Sequence, residues 1–516
     1  MQDGHAVRVV TSSAGRGSHD RVIMTGRPER MAMTQAHVNM LSGPLSNEDL
    51  APVSERHWAW KDYLFLWMSN VHSVAGYMTI GSFFTMGLPV SAVLSGLLTA
   101  VIIVYVLCNL VAVPSLRAGV PFPVVIRGAF GVYGAVVPAL VRGVIAVGWY
   151  GIQTWLASNA IVLFILHMDP GVMGYADSHL HGALGLSLLG WGAFLFVWLL
   201  QIAVFWRGME SIRHFIDWAG PAIYIVILGL DIALLWRTHG AFHLSVLPQS
   251  VVSWPVALAG VFSVASLTLA YFSPIILNFG DFARYGTSMS DVRRGNFWGL
   301  PVNFMAFVML VLTTLVLARS ALGRLILDPA GTIMMFDSPT IMLVGTITLV
   351  SATIGINISA NFVSAAFDFS NVAPASISWR KGGLIASIGA VLLTPWNLYA
   401  HPELIHLTLD ILGLFIAPVT GILLVDYYHV QKASLDFPGL YSTAPDGPYW
   451  YRGGVNRRAV LALALSVVLG LMVVFVPALH GAQNYAWVIG LLTGGVFHFG
   501  LSGLSPRGGR AASQES

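Results

Sequence analysis

Residues 67–76 run Trp67-Met68-Ser69-Asn70-Val71-His72-Ser73-Val74-Ala75-Gly76. They lie inside a hydrophobic stretch, 62–86, and about 20 apolar residues are enough to cross a bilayer. Ser69, Asn70, His72 and Ser73 all carry hydrogen-bonding side chains, an awkward run for a helix in contact with lipid. The run suits a helix that unwinds, so that freed backbone groups line a cavity instead of facing hydrocarbon. A second irregularity, Tyr271-Phe272-Ser273-Pro274, falls in the stretch 254–279. Pro274 withholds one backbone hydrogen bond and is expected to break or kink that helix. These are the first and sixth hydrophobic stretches of the chain, hence the first members of two five-helix sets. Interrupted helices at matching positions of two halves are the signature of an inverted-repeat transporter. Singly, each has a plainer account: a serine cluster used for helix packing, and an ordinary proline kink.

Composition agrees with a membrane setting. Of 516 residues, 56% are hydrophobic and only 9% are Asp, Glu, Lys or Arg, against roughly 25% charged in a soluble domain. A soluble fold of this size cannot cover its surface with so little charge; an all-α integral membrane protein can. The 53 glycines suit close helix packing. A net charge of +3 offers no basic domain for nucleic acid. The single Cys108 sits in an apolar run, has no intrachain partner, and fits a packing thiol.

Twelve spans are expected, near 62–86, 89–113, 136–166, 184–206, 215–236, 254–279, 297–320, 340–368, 383–399, 404–429, 458–478 and 485–503. Residues 1–57 lack an apolar signal-type stretch and are expected to form a disordered cytoplasmic tail, with Met33 or Met40 as alternative starts. Residues 58–237 then make the first five-helix repeat and 238–432 the second. Residues 433–505 hold two additional helices, and 506–516 a cytoplasmic tail. With a cytoplasmic N-terminus, the outer segments keep only Arg237, Arg319 and Arg324 of the 26 Lys and Arg residues. That bias places both termini in the cytoplasm of a cell-membrane protein. One helix more or fewer would scramble it.

Polar groups within spans mark candidate sites. In span 3, Trp149 and Gln153 are four apart and share a helix face. An aromatic plane beside an amide suits a flat ring with polar edges. In span 8, Asn357 and Asn361 are also four apart, with interhelical bonding as the plainer role. Trp155 is expected to pack or anchor at an interface. Asp231, Asp368 and Asp410 are weaker candidates for proton handling. Asp281 and Asp426 fall at helix ends near Arg284 and Lys432, where ion pairing or capping is expected. His72 titrates near neutral pH when unperturbed, yet can equally be a hydrogen-bonded group in the break. Asn357-Ile358-Ser359 fits a glycosylation pattern but lies within a span. No zinc-protease, phosphate-loop or paired-cysteine motif is present, which weakens an enzyme reading.

From about Leu45 to about Leu504 the chain resembles the nucleobase:cation symporter-1 family, which includes cytosine, purine, uracil, thiamine, allantoin and hydantoin permeases. The marks are Ser46-Asn47-Glu48-Asp49-Leu50-Ala51-Pro52, Trp67-Met68 with Val71-His72-Ser73, and Gly119-Val120-Pro121-Phe122-Pro123 with Arg127. Trp149-Tyr150-Gly151-Ile152-Gln153-Thr154, Met209-Glu210-Ser211-Ile212 and Trp218-Ala219-Gly220-Pro221 follow. Asn278-Phe279-Gly280-Asp281-Phe282-Ala283-Arg284-Tyr285 ends span 6; Ala360-Asn361-Phe362-Val363-Ser364 and Pro395-Trp396 come next. Asp426-Tyr427-Tyr428 and Tyr449-Trp450-Tyr451-Arg452-Gly453-Gly454-Val455-Asn456 complete the series.

The resemblance implies a leucine-transporter-type fold, two inverted five-helix repeats plus two extra helices, with alternating access around a midplane site. It implies that Trp149 stacks on the substrate ring and that Gln153 and Asn361 bond its edge. Ser73 falls at the helix break. Phe272 falls where many relatives place a second stacking tryptophan, with Tyr271 as the alternative register. In sodium-coupled relatives span 8 supplies two adjacent hydroxyls, and here those positions are Gly355 and Ile356. Carbonyls of Ser69, His72 and Ala352 would remain, an incomplete shell for a hard cation. Coupling to protons is therefore expected over sodium, with no cofactor, a small heterocycle and the lipid bilayer as partners, and a monomer. The leading expectation is secondary active import of a uracil, allantoin or hydantoin type of ring. The alternatives are a facilitative channel-like pore and a membrane enzyme or sensor.

Overall fold

The computed structural model describes residues 43–503, apart from 249, 324, 337 and 400–402, and without the side chains of 398, 399, 403–406, 408–410 and 412. The tail expected over 506–516, most of that over 1–57, and the side chain of Asp410 lie outside the described residues. Among the described residues ten helices are long and apolar enough to cross a membrane: Val90–Ala118, Val136–Met168, Leu188–Trp206, Met209–Arg237, Trp254–Ala283, Met289–Leu322, Pro339–Val372, Gly413–Val430, Arg457–Phe475 and Pro477–Gly503. They are spans 2 to 8 and 10 to 12. Two further crossings are too short to count as single helices. Span 1 is divided into Trp60–Val71 and Val74–Phe83, and span 9, Trp379–Leu393, has 15 residues. With these two the chain has the twelve expected spans.

The spans bury polar side chains and leave apolar ones outside. Val144, Leu199, Ile225, Ile347, Leu392 and Val496 are each more than half exposed, an apolar belt that needs lipid rather than water. Inside, spans 3, 8 and 9 pack together, span 5 packs against spans 1, 7 and 8, and spans 11 and 12 cover span 10. Span 2 lies along span 6, so close that a Cβ on Gly96 would stand 2.7 Å from the Val261 carbonyl oxygen.

The break in span 1 is real. His72 (φ −88°, ψ 89°) and Ser73 (φ −140°, ψ 163°) leave the helical region. Ser73 then restarts the helix as its N-cap, its Oγ accepting from Gly76 N–H at 2.9 Å. In span 6 the helix is not broken at the proline. It continues through Tyr271-Phe272-Ser273-Pro274 to Asn278, and only Phe279 separates it from the turn Gly280–Ala283. A single proline deprives one carbonyl, that of Ala270, of its helical donor, a loss a packed helix can absorb. Neighbours help hold the segment: Arg142 of span 3 donates from Nε to the Pro274 carbonyl at 3.3 Å.

Three spans contain widened π-helical turns, at Trp298–Val302, Asn357–Val363 and Asp426–Val430. Such turns recur at functional sites. Within the stretch read as a tail, residues 43–57 pack on the bundle. Leu50 is fully buried, and Asn47 donates to Ser370 Oγ at 2.8 Å and to the Pro374 carbonyl at 3.1 Å. The two helix-end acids find other partners than those expected. Asp281 accepts from Phe122 N–H and from Asn278, at 2.8 and 2.9 Å, while Arg284 binds the carbonyls of Asp49 and Ala51. Asp426 pairs with His498 of span 12 at 3.0 Å, a partner 72 residues away that local spacing cannot reveal.

Candidate substrate site

Spans 1, 3, 6 and 8 meet around one cavity, lined by Asn70, Trp149, Gln153, Tyr271, Phe272, Pro274, Ile275, Ile356, Ala360 and Asn361. Trp149 and Gln153 come from the same face of span 3, as their spacing requires. The Trp149 and Tyr271 rings meet edge to face, centroids 6.2 Å apart. Gln153 is buried, and its Oε1 has no hydrogen-bond partner. A buried carboxamide oxygen left unpaired is costly, so a donor on a bound molecule would relieve it.

Asn361 is braced from behind. Its Nδ2 donates to Asn357 Oδ1 at 3.0 Å. Asn357 in turn donates to the Tyr150 carbonyl, Thr154 Oγ1 and Gln201 Oε1, at 3.0, 3.1 and 2.7 Å. Asn357 therefore has the interhelical role expected of it, and it also fixes the rotamer of Asn361. Gln201 of span 4, which sequence spacing did not single out, closes this network by donating to Thr154 Oγ1 at 3.0 Å.

The remaining candidates sit around this centre. Ser73 does not line the cavity itself but reaches one of its residues, its Oγ 3.3 Å from Tyr271 Oη. Phe272 lines the cavity but packs edge-on against Trp67 and Phe304, centroids 6.3 and 5.4 Å away. Tyr271 is the residue of the pair that faces both Trp149 and Ser73. It also lines a second cavity with Gly76, Thr79 and Thr268, and so stands as the partition between the two. His72 turns towards spans 5 and 7. Its Nδ1 lies 3.2 Å from the Gly220 carbonyl oxygen, and its ring is wedged between Tyr224 and Phe307, at 4.4 and 4.7 Å. Asn70, absent from the sequence candidates, lines the cavity and ties span 1 to span 8 by accepting from Ser359 Oγ at 3.1 Å. Its polarity was visible, but which face of the break it would occupy was not.

Where the resemblance placed an ion site, Gly355 lies directly against Ser69. A Cβ at position 355 would collide with Ser69 Oγ, and that hydroxyl has no hydrogen-bond partner. Ala352 is buried beside them, and Ile356 presents its side chain to the substrate cavity. The cavity volume is about 30 Å³, space for one or two waters rather than for a heterocycle. In this conformation the site is contracted.

A divided first span, a largely apolar cavity that gathers three amide side chains between spans 1, 3, 6 and 8, and an apolar outer belt together define a polytopic membrane transporter. The fold matches a solved nucleobase-cation-symport-1 transporter, Mhp1, in a closed conformation with bromovinylhydantoin bound. The TM-score is 0.71 at 17% identity, over 89% of this chain and 95% of that one. A family profile described as permease for cytosine/purines, uracil, thiamine and allantoin matches residues 51–490, and the chain belongs to that family. An allantoin permease of Bacillus subtilis (strain 168) is 34% identical over 476 residues, covering 90% of this chain and 94% of its own. The purine-uracil permease NCS1 of Arabidopsis thaliana is 31% identical, covering 86% of this chain and 75% of its own. The protein is accordingly a permease and not an enzyme.

Proposed function

We propose that the chain imports a flat heterocycle with amide edges, of the allantoin, uracil or hydantoin type, by proton symport across the cell membrane. It works as a monomer with both termini in the cytoplasm. The observation that carries the substrate class is the convergence of the Trp149 ring, the unpaired Gln153 Oε1 and the braced Asn361 amide on one cavity. Trp149 stacks on the ring, while Gln153 and Asn361 supply acceptor and donor positions for its N–H and C=O groups. The names of the relatives, allantoin permease and purine-uracil permease, support a ring of this class. The contracted cavity fits a transporter that closes around its cargo better than an open pore.

Proton coupling is supported by the neighbourhood of Gly355. Sodium wants oxygen ligands, and Gly355 and Ile356 bring none from their side chains. The scarcity of Lys and Arg in the outer segments supports the orientation.

The test is uptake of labelled allantoin and uracil into liposomes holding the purified protein. Accumulation is expected with an inward proton gradient and no sodium; strict dependence on sodium would overturn proton coupling. Trp149→Ala should abolish binding, read by quenching of tryptophan fluorescence, with yield and thermal stability retained. Unchanged affinity would mean that the ring binds elsewhere.

A further inference from the structure

Beneath the cavity lies a buried charged group that the substrate site does not use. Arg142, on span 3 two turns before Trp149, is wholly buried. Its Nε donates to the Pro274 carbonyl at 3.3 Å and its Nη2 to the Ala360 carbonyl at 2.6 Å. Pro274 and Ala360 both line the cavity, so Arg142 clamps spans 6 and 8 together across its floor. Its Nη1 has no partner.

Beside it stands Asp368 of span 8. A Cβ on Gly143, the residue after Arg142, would meet Asp368 Cβ at 3.6 Å. Asp368 is fully buried, and no hydrogen bond of ordinary geometry reaches either carboxyl oxygen, the Asn278 amide being the neutral donor turned towards it. The groups that face it are few. Span 3 brings Arg142, and the end of span 6 brings Asp281 and Asn278. Asp281 is held by Phe122 N–H and Asn278. The turn Phe122–Val125 has no titratable side chain. The span 9 cations point elsewhere: Arg380 over the Trp206 ring, Lys381 to the Ser376 carbonyl. Arg127 binds Asn371, Leu440 and Leu45. Ser364, one turn before Asp368, is buried with an unpaired hydroxyl.

An ionised carboxylate with no hydrogen bond of ordinary geometry on either oxygen, beside a guanidinium with an idle N–H, is an unresolved arrangement. Two events resolve it: a proton on the carboxyl, or movement of Arg142 onto Asp368. They have opposite consequences for the cavity. With the proton on Asp368, Arg142 stays on the Pro274 and Ala360 carbonyls and the floor is shut. With the proton gone, Asp368 draws Arg142 away and spans 6 and 8 are free to separate.

We propose that Asp368 is the proton-binding site of the transporter, and that its protonation keeps Arg142 clamped across the cavity floor. This rests on the proton-coupled reading above. It gives a coupling order: arrival of the proton returns Arg142 to the two carbonyls and shuts the floor, and its departure on the far side releases Arg142 and then the ring. Arg142 here is a positioning residue, acting on the backbone of the two spans that line the site.

The experiment uses full-length protein in liposomes, with labelled allantoin and uracil as probes. Asp368→Asn, a permanent mimic of the protonated acid, should retain binding of the probe and lose accumulation driven by a proton gradient. Arg142→Gln should bind the probe and allow downhill flux that no longer concentrates it. Wild-type uptake indifferent to the proton gradient would overturn proton coupling and this assignment together. Wild-type uptake that responds, with Asp368→Asn responding equally, would overturn this assignment alone. Should Asp368→Asn fail to fold, infrared difference spectra on probe binding decide. The carbonyl band of a protonated carboxyl in the wild type should shift in Asp368→Glu, and an unshifted band would exclude Asp368 as its source.

Discussion

Spans 1 and 6 hold matching places in the two repeats, yet they reach the cavity in different ways. Span 1 stops at His72 and Ser73, and the chain turns extended before helix resumes. Span 6 carries its proline inside an unbroken helix and contributes side chains, Tyr271 and Phe272, rather than exposed backbone. Two consecutive non-helical residues separate the halves of span 1 and create a new N-terminus, which Ser73 caps. One proline costs a single hydrogen bond and leaves the helical path open. A polar run in span 1 and a proline in span 6 therefore leave different marks on the backbone at matching places of the fold.

The largest effect is expected from filling the gap in span 1. A Cβ at Gly76 would stand 2.8 Å from the Val71 carbonyl oxygen and 3.1 Å from Tyr271 Oη, so the two helix halves approach each other only because residue 76 is glycine. Gly76→Val should abolish uptake and lower stability by about 1–3 kcal/mol, the usual range for overpacking. Uptake assays and thermal unfolding in detergent check this. Wild-type transport would show that the geometry of the break does not matter.

A smaller effect is expected at the cap. Ser73→Ala removes the acceptor for Gly76 N–H, a loss of about 1 kcal/mol, and the contact with Tyr271 Oη. Tyr271→Phe removes only the second of these. Thermal unfolding should place Ser73→Ala below Tyr271→Phe, and the double variant should resemble Ser73→Ala alone. Equal losses in the two single variants would mean that Ser73 acts through Tyr271 and not as a cap.

The same contrast explains what the sequence could and could not reveal. Polar residues within an apolar stretch are conspicuous, so Ser69 to Ser73, Trp149, Gln153 and Asn361 stood out, and the structure brings Trp149, Gln153 and Asn361 to one cavity. The twelve spans were legible because hydrophobic length and the Lys and Arg bias are both local properties. What was not legible depends on rotation about a helix axis. His72 and Asn70 are two residues apart, and one faces spans 5 and 7 while the other faces the cavity. The π-helical turn at Asn357–Val363 shifts the register of span 8, which an assumed spacing of 3.6 cannot anticipate. Phe122 and His498, partners of Asp281 and Asp426, come from distant parts of the chain, so the nearby Arg284 and Lys432 were a poor guide to where these acids would pair or cap.

The mildest change tests span 6 itself. Pro274→Ala restores an N–H that can reach the Ala270 carbonyl, and it leaves the Pro274 carbonyl position, which Arg142 uses, on the backbone. Because the helix already runs through this point, the alanine has no break to repair. A proline in a soluble helix interior costs about 3 kcal/mol, but packing has already absorbed much of that here, so only a slight gain in thermal stability is expected. Residue 274 lines the cavity, and the smaller side chain should alter affinity for the ring only modestly, with transport retained. Measuring binding and uptake on the same preparation separates the two contributions. If binding persists while uptake disappears, the proline serves as a hinge that the conformation described here does not display, and span 6 would then be the moving counterpart of span 1 rather than its rigid one.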